Sequence, residues 1–110
     1  MIEEVVINKG VREDINKIKN YIIKNYKDIN TAENTINRIL DSIDLIVPYP
    51  NGYPIINNKY CIKYEIRRKI CNKYIIYFRK YNESIEVIGV FHSRRLLKNV
   101  ISEIIDRINE

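Results

Sequence analysis

The stretch from Tyr74 to Arg95, YIIYFRKYNESIEVIGVFHSRR, constrains this chain more than any other part of it. Two apolar runs of strand length flank a polar Asn-Glu-Ser turn. Runs rich in Ile, Val, Tyr and Phe, bounded by turn formers, read as paired strands. The second run leads directly into His92, Ser93, Arg94 and Arg95, and His92 is the only histidine. A buried strand that delivers an imidazole and two guanidinium groups to its end is the natural place to look for chemistry.

The rest of the chain supplies partners for that hairpin. EEVVI reads as a short first strand, after which Gly10 breaks the pattern. Val11, Ile15, Ile18, Ile22 and Tyr26 then recur at helical spacing, which predicts an amphipathic helix to about Lys27. Asn30 with Glu33 three residues later reads as a capping-box start. Ala32, Ile36, Ile39, Leu40, Ile43 and Ile46 mark the inner face of a second helix. VPYPNGYP ends that helix in a loop. YCIKYEIRRKI alternates: Tyr60, Ile62, Tyr64 and Ile66 point one way, and Lys63, Glu65, Arg67 and Lys69 the other, as in a strand with one charged face. Asn72-Lys73 joins it to the next strand by a tight turn. Leu97, Val100, Ile101, Ile104 and Ile108 form a final amphipathic helix. A helical hairpin must bury its stripe, and the sheet is the large apolar surface available. The expected fold is α+β in the order β-α-α-β-β-β-α, with the N-terminal helical hairpin packed on a small, mainly antiparallel sheet.

At 110 residues the chain suits a single domain over 1–110. Its net charge of +5 admits an acidic partner, protein or nucleic acid. The acidic start lacks the basic region and apolar core of a signal peptide, and no run approaches the length of a membrane span. The expected location is the cytoplasm, with no membrane partner. Cys61 and Cys71 lie in and just after one expected strand, where ten extended steps separate them by about 30 Å. That excludes a disulfide if the strand is real. One histidine and no CxxC pair argue against zinc, so no metal and no cofactor are expected.

Strand parity places Glu86, Ile88, Val90 and His92 on the sheet face turned away from the helical hairpin, together with Lys63, Glu65, Arg67 and Lys69. Imidazole can take up or release a proton near neutral pH, and arginine forks grip phosphate. Such a set could cleave RNA without a metal; equally, His92 could simply pack at a strand end while the arginines are solvated or paired. Arg68 fits the rim of the packed face, and Arg79 is placed to pair with Glu83 or Glu86. Tyr74, Tyr77 and Tyr81 suit hairpin packing more than base stacking.

The order of elements, the break in PYPNGYP, the arginine in YEIRRKI, the strand YIIYFR and the ending VFHSRR together resemble the RelE/ParE superfamily of type II toxins. The details are closer to the ParE-like branch. No arginine stands after the tyrosine of the third strand, and LLKNVISEIIDRINE contains no aromatic residue. The resemblance implies a growth-inhibiting toxin of a bacterial plasmid-stabilisation system, neutralised by a cognate antitoxin through an acidic amphipathic segment. A ParE-like toxin would bind DNA gyrase. The alternative is a RelE-like, ribosome-dependent endoribonuclease acting on mRNA, with His92, Arg67 and Arg95 catalytic. On either reading Lys63, Lys69, Arg79, Arg94 and Lys98 would contact the target or RNA. A basic binding module without toxicity is the third reading. A homodimer and a hetero-oligomer with the antitoxin are both compatible with these readings.

Overall fold

The computed structural model describes residues 4–110. Strand β1 (Glu4–Ile7) leads into helix α1 (Lys9–Tyr26) and helix α2 (Ile29–Asp44). A 3-10 turn at Pro50–Gly52 precedes a short helix α3 (Lys59–Tyr64). Strands β2 (Arg67–Cys71), β3 (Tyr74–Tyr81) and β4 (Ser84–His92) follow, then helix α4 (Leu97–Ile108). The expected order is borne out. Glu3, the first residue of the expected opening strand, lies outside the described residues.

The sheet runs β1-β4-β3-β2, with β1 parallel to β4 and the other pairs antiparallel. The hairpin α1–α2 covers one face. Val11, Ile18, Ile22, Ala32, Ile39 and Ile43 bury there against Ile76, Phe78, Ile85, Val87 and Val90. The other face is also covered: Val100, Ile101 and Ile104 of α4, with Cys61 of α3, pack on Ile75, Tyr77, Ile88 and Phe91. The helices therefore do not share one face of the sheet.

Local chemistry explains the boundaries. Asn8, not a residue after Gly10, caps α1, accepting from the Gly10 N–H at 3.0 Å. Gly10 is helical, and its missing side chain admits Arg107: a Cβ there would lie 2.5 Å from Arg107 Nε. Asp28 rather than Asn30 caps α2, accepting from the Asn30 and Thr31 N–H groups and the Thr31 hydroxyl. The Thr31 hydroxyl bond, then the backbone bonds, hold the Asp28 carboxyl below its ordinary range. Leu40, expected inside, is 44% exposed, and Tyr26 is exposed too.

The largest departure lies at residues 59–71. Lys59–Tyr64 is a helix, capped by the Asn58 carbonyl oxygen of its side chain, which accepts from the Tyr60 and Cys61 N–H groups. Glu65 stops it in the left-handed conformation (φ 55°). Only Arg67–Cys71 is strand. Cys61 and Cys71 are free thiols buried in different cores, so the extended-strand distance does not apply to them.

A second departure is a bulge in β4. Phe78 pairs with Val87 but Tyr77 pairs with Gly89, leaving Ile88 as the extra residue. Side-chain parity inverts past it. Ile88 faces α4, but Val90 faces the hairpin α1–α2, and so does His92, which pairs with Tyr74.

Candidate functional site

The bulge decides what the site can be. His92 lies on the hairpin side of the sheet, not on the face turned away from it. Its ring meets Tyr74 edge-on, with centroids 5.5 Å apart. Its Nδ1 accepts the Arg94 backbone N–H at 3.1 Å, so the neutral ring carries its proton on Nε2. Across from it, Asp14, Lys17, Ile18 and Tyr21 share one face of α1 at helical spacing. Between the two elements lies an open cavity of about 450 Å³, walled by Lys17, Tyr21, Tyr74, His92, Arg94 and Arg95. Ile18, Val90 and Phe91 also line it. Burial raises the Tyr74 hydroxyl above its ordinary range, with the neighbouring Tyr21 and Tyr26 adding to the effect.

Of the residues expected to act together, His92, Arg94 and Arg95 come together here; the others do not. Arg67 and Lys69 also sit on the hairpin side, paired with Phe78 and Ile76. The Arg67 guanidinium donates to the Tyr53 carbonyl, and Lys69 Nζ donates to the Ser42 carbonyl at 3.0 Å. Both cations thus tie β2 to the segments flanking the 3-10 turn. Arg79 Nε donates to Glu86 Oε1 at 2.7 Å, with both side chains largely buried, so one of the two expected pairings holds. Lys63 is exposed on α3 beside the Tyr64 ring, and Lys98 is exposed in the first turn of α4. Arg68 is exposed rather than tucked at a rim. Tyr74 and Tyr77 are core, as expected of packing residues, whereas Tyr81 is exposed under the Arg79 guanidinium. Arg95 is itself engaged, donating to Glu103 at 2.7 Å and lying over Phe91.

Sequence reasoning missed the strongest polar feature of the molecule. Asp14, only 4% exposed, accepts two bonds from Arg107: Nη1 to Oδ2 at 2.7 Å and Nη2 to Oδ1 at 2.8 Å. β1 pairs with β4 only as far as Val87, so beyond it the edge of β4 would be bare. Asp14 accepts the Val90 N–H at 3.1 Å, and Arg107 donates to the Ile88 carbonyl at 2.9 Å. The ion pair thus takes the place of β1 beside the bulge and pins α1, β4 and α4 together. The hydrogen bonds that Arg107 donates to Asp14 are the main reason its guanidinium is held above its ordinary pKa. A signal was present: Asp14 is an acid set in the apolar stripe Val11–Ile18.

Among the described residues no three His, Cys, Asp or Glu are placed to hold a metal, and no helix is long and apolar enough to cross a membrane.

Comparison with known proteins agrees with this architecture. A solved chain of the chromosomal ParDE TA system from P. aeruginosa is similar at a TM-score of 0.71. The likeness covers 83% of this chain and 96% of that one, at 9% identity, and speaks for the fold. No curated protein matches the sequence. The architecture is that of the RelE/ParE superfamily. Within it, the sequence profile for the ParE toxin of type II toxin-antitoxin system, parDE, matches residues 5–97. The chain belongs to the ParE toxin family.

Proposed function

We propose that this chain inhibits growth as the toxin of a toxin–antitoxin pair, that a cognate antitoxin neutralises it, and that its cellular target is DNA gyrase, engaged by binding without chemistry. The observation that carries this reading is the family match over residues 5–97. The solved ParDE system from P. aeruginosa supports a paired antitoxin. The dispersal of the basic residues supports binding over catalysis. Arg67, Lys69 and Arg79 are committed to structural partners, and none of them borders the cavity beside His92.

The surface also suits an acidic amphipathic partner. On the α4 side, Ile70 is 67% exposed at the edge of β2, with exposed Arg68 on the same face. Ile62 of α3 and Leu96 beside Arg95 are exposed as well. Apolar positions interleaved with cations fit a helix or strand bearing leucines and acids.

Induced expression in living cells, with DNA and protein synthesis labelled together, tests the target. The expected result is early loss of DNA synthesis and a DNA-damage response, with intact transcripts. Early loss of translation with transcripts cut at codons would instead establish the ribonuclease reading, and His92→Ala would then abolish toxicity. Copurification with the product of a neighbouring short reading frame tests the antitoxin.

A further inference from the structure

We propose that the cavity between α1 and the end of β4 is a binding site for a nucleotide unit: a planar ring bearing one phosphate monoester. The inference does not rest on the toxin reading.

The charge of the cavity sets the ligand class. Asp14 borders it, but its carboxylate is spent on Arg107 and the Val90 N–H. Arg95 is paired with Glu103. Lys17 and Arg94 have no ion-pair partner among the described residues. His92 adds an Nε2–H donor, because its Nδ1 is occupied by the Arg94 amide. Two uncommitted cations and one donor match a dianion. A carboxylate would leave one of the cations unanswered, whereas a phosphate monoester, with nearly two charges and three acceptor oxygens, engages all three groups.

The walls set the remainder of the ligand. Ile18 and Val90 give the cavity an apolar floor, and Tyr21, 56% exposed, presents a ring at its mouth. An exposed tyrosine face beside a cationic lip is a stacking platform for a base. The volume lies within the range of small-molecule sites and exceeds what a bare phosphate would fill.

The test is titration of the isotope-labelled 110-residue chain, followed by amide resonances. Uridine 5′-monophosphate, uridine, inorganic phosphate, a 5′-phosphorylated tri-uridylate and a Glu-Glu-Tyr peptide serve as probes. The monophosphate is expected to shift residues 17–21 and 90–95 saturably, more tightly than uridine or phosphate alone. Lys17→Ala and Arg94→Ala should each weaken it about tenfold, the loss of one charge-assisted contact. Tyr21→Ala should weaken it about fivefold or more through lost stacking. All three side chains are exposed, so the variants keep the fold, and their unperturbed resonances elsewhere verify it. Tighter binding of the trinucleotide would identify a nucleic-acid end as the source, and equal binding a free nucleotide. Absence of saturable shifts, shifts indifferent to the variants, or a peptide bound as tightly as the nucleotide would overturn the proposal. None of these readouts depends on toxicity, so the proposal and the toxin reading can fail separately.

Discussion

Arg107, in the last turn of α4, and Arg94, in the turn between β4 and that helix, both lie against the last strand, and they show how differently one residue type can be used. Arg107 is buried against the β4 bulge and spends its donors on Asp14 and the Ile88 carbonyl. Arg94 stands in the open at the cavity mouth, with no ion-pair partner among the described residues. The bulge links them. It lies where β1 ends and leaves the backbone groups that Arg107 and Asp14 answer, and its inversion of parity turns His92 toward α1, where Arg94 joins it. One guanidinium is thus part of a structural clamp, and the other lines the open cavity beside His92.

The contrast can be broken most directly at the clamp. Arg107→Ala should cost about 3–5 kcal/mol, because it leaves the Asp14 carboxylate buried without its partner. Against the ~5–15 kcal/mol typical of a whole domain, that is a large share, and denaturant titration will read it. Replacing both partners by apolar residues should cost less than the sum of the single changes.

A smaller loss is expected from Gly89→Ala. The new methyl would collide with the Phe91 ring and crowd Arg107 Nη1 at 3.1 Å. Overpacking of this kind costs about 1–3 kcal/mol, again measurable by denaturant midpoint.

An exposed carboxylate sharpens the comparison from the other side. The Asp28 carboxyl has its pKa lowered in the folded chain, mainly by the Thr31 hydroxyl. Its stabilisation is therefore complete above the ordinary carboxylate value and disappears as pH falls through the lower, folded value. Asp28→Asn keeps a capping oxygen but cannot titrate. Its stability should fall less steeply than that of the parent below about pH 4, as followed by circular dichroism. Parallel acid curves for the two chains would show that this cap does not contribute to the pH response.

The smallest effect on stability belongs to the cavity. Lys17→Ala and Arg94→Ala should change it by no more than about 0.5 kcal/mol, as expected of surface positions. A loss comparable to that of Arg107→Ala would show that the cavity wall is also part of the clamp.

The three long helices and the strand pair of residues 74–92 were legible in the sequence because their apolar residues repeat at one dominant period over many positions. Residues 60–64 were not. Tyr and Ile at alternate positions imitate a strand, while a single Asn58 cap and a left-handed Glu65 make a short helix instead. The face assignment of His92 failed for a different reason. Period-two reasoning presumes an unbroken ladder, and one extra residue at Ile88 inverts every side chain beyond it. The Asp14–Arg107 pair joins residues 93 apart in the chain, a distance over which local pattern carries no information about partners. Its trace was an acid in an apolar stripe, legible as an anomaly but not as a contact.

The placement of Arg107 in the final turn of α4 makes the molecule sensitive to trimming. Loss of Arg107–Glu110 would leave every strand in place and remove only one turn of helix. Yet it would strand the Asp14 carboxylate in the interior and loosen the lid over Phe91 and Ile88. A chain trimmed there would thus keep its sheet but lose the one side chain that answers both the Asp14 carboxylate and the Ile88 carbonyl.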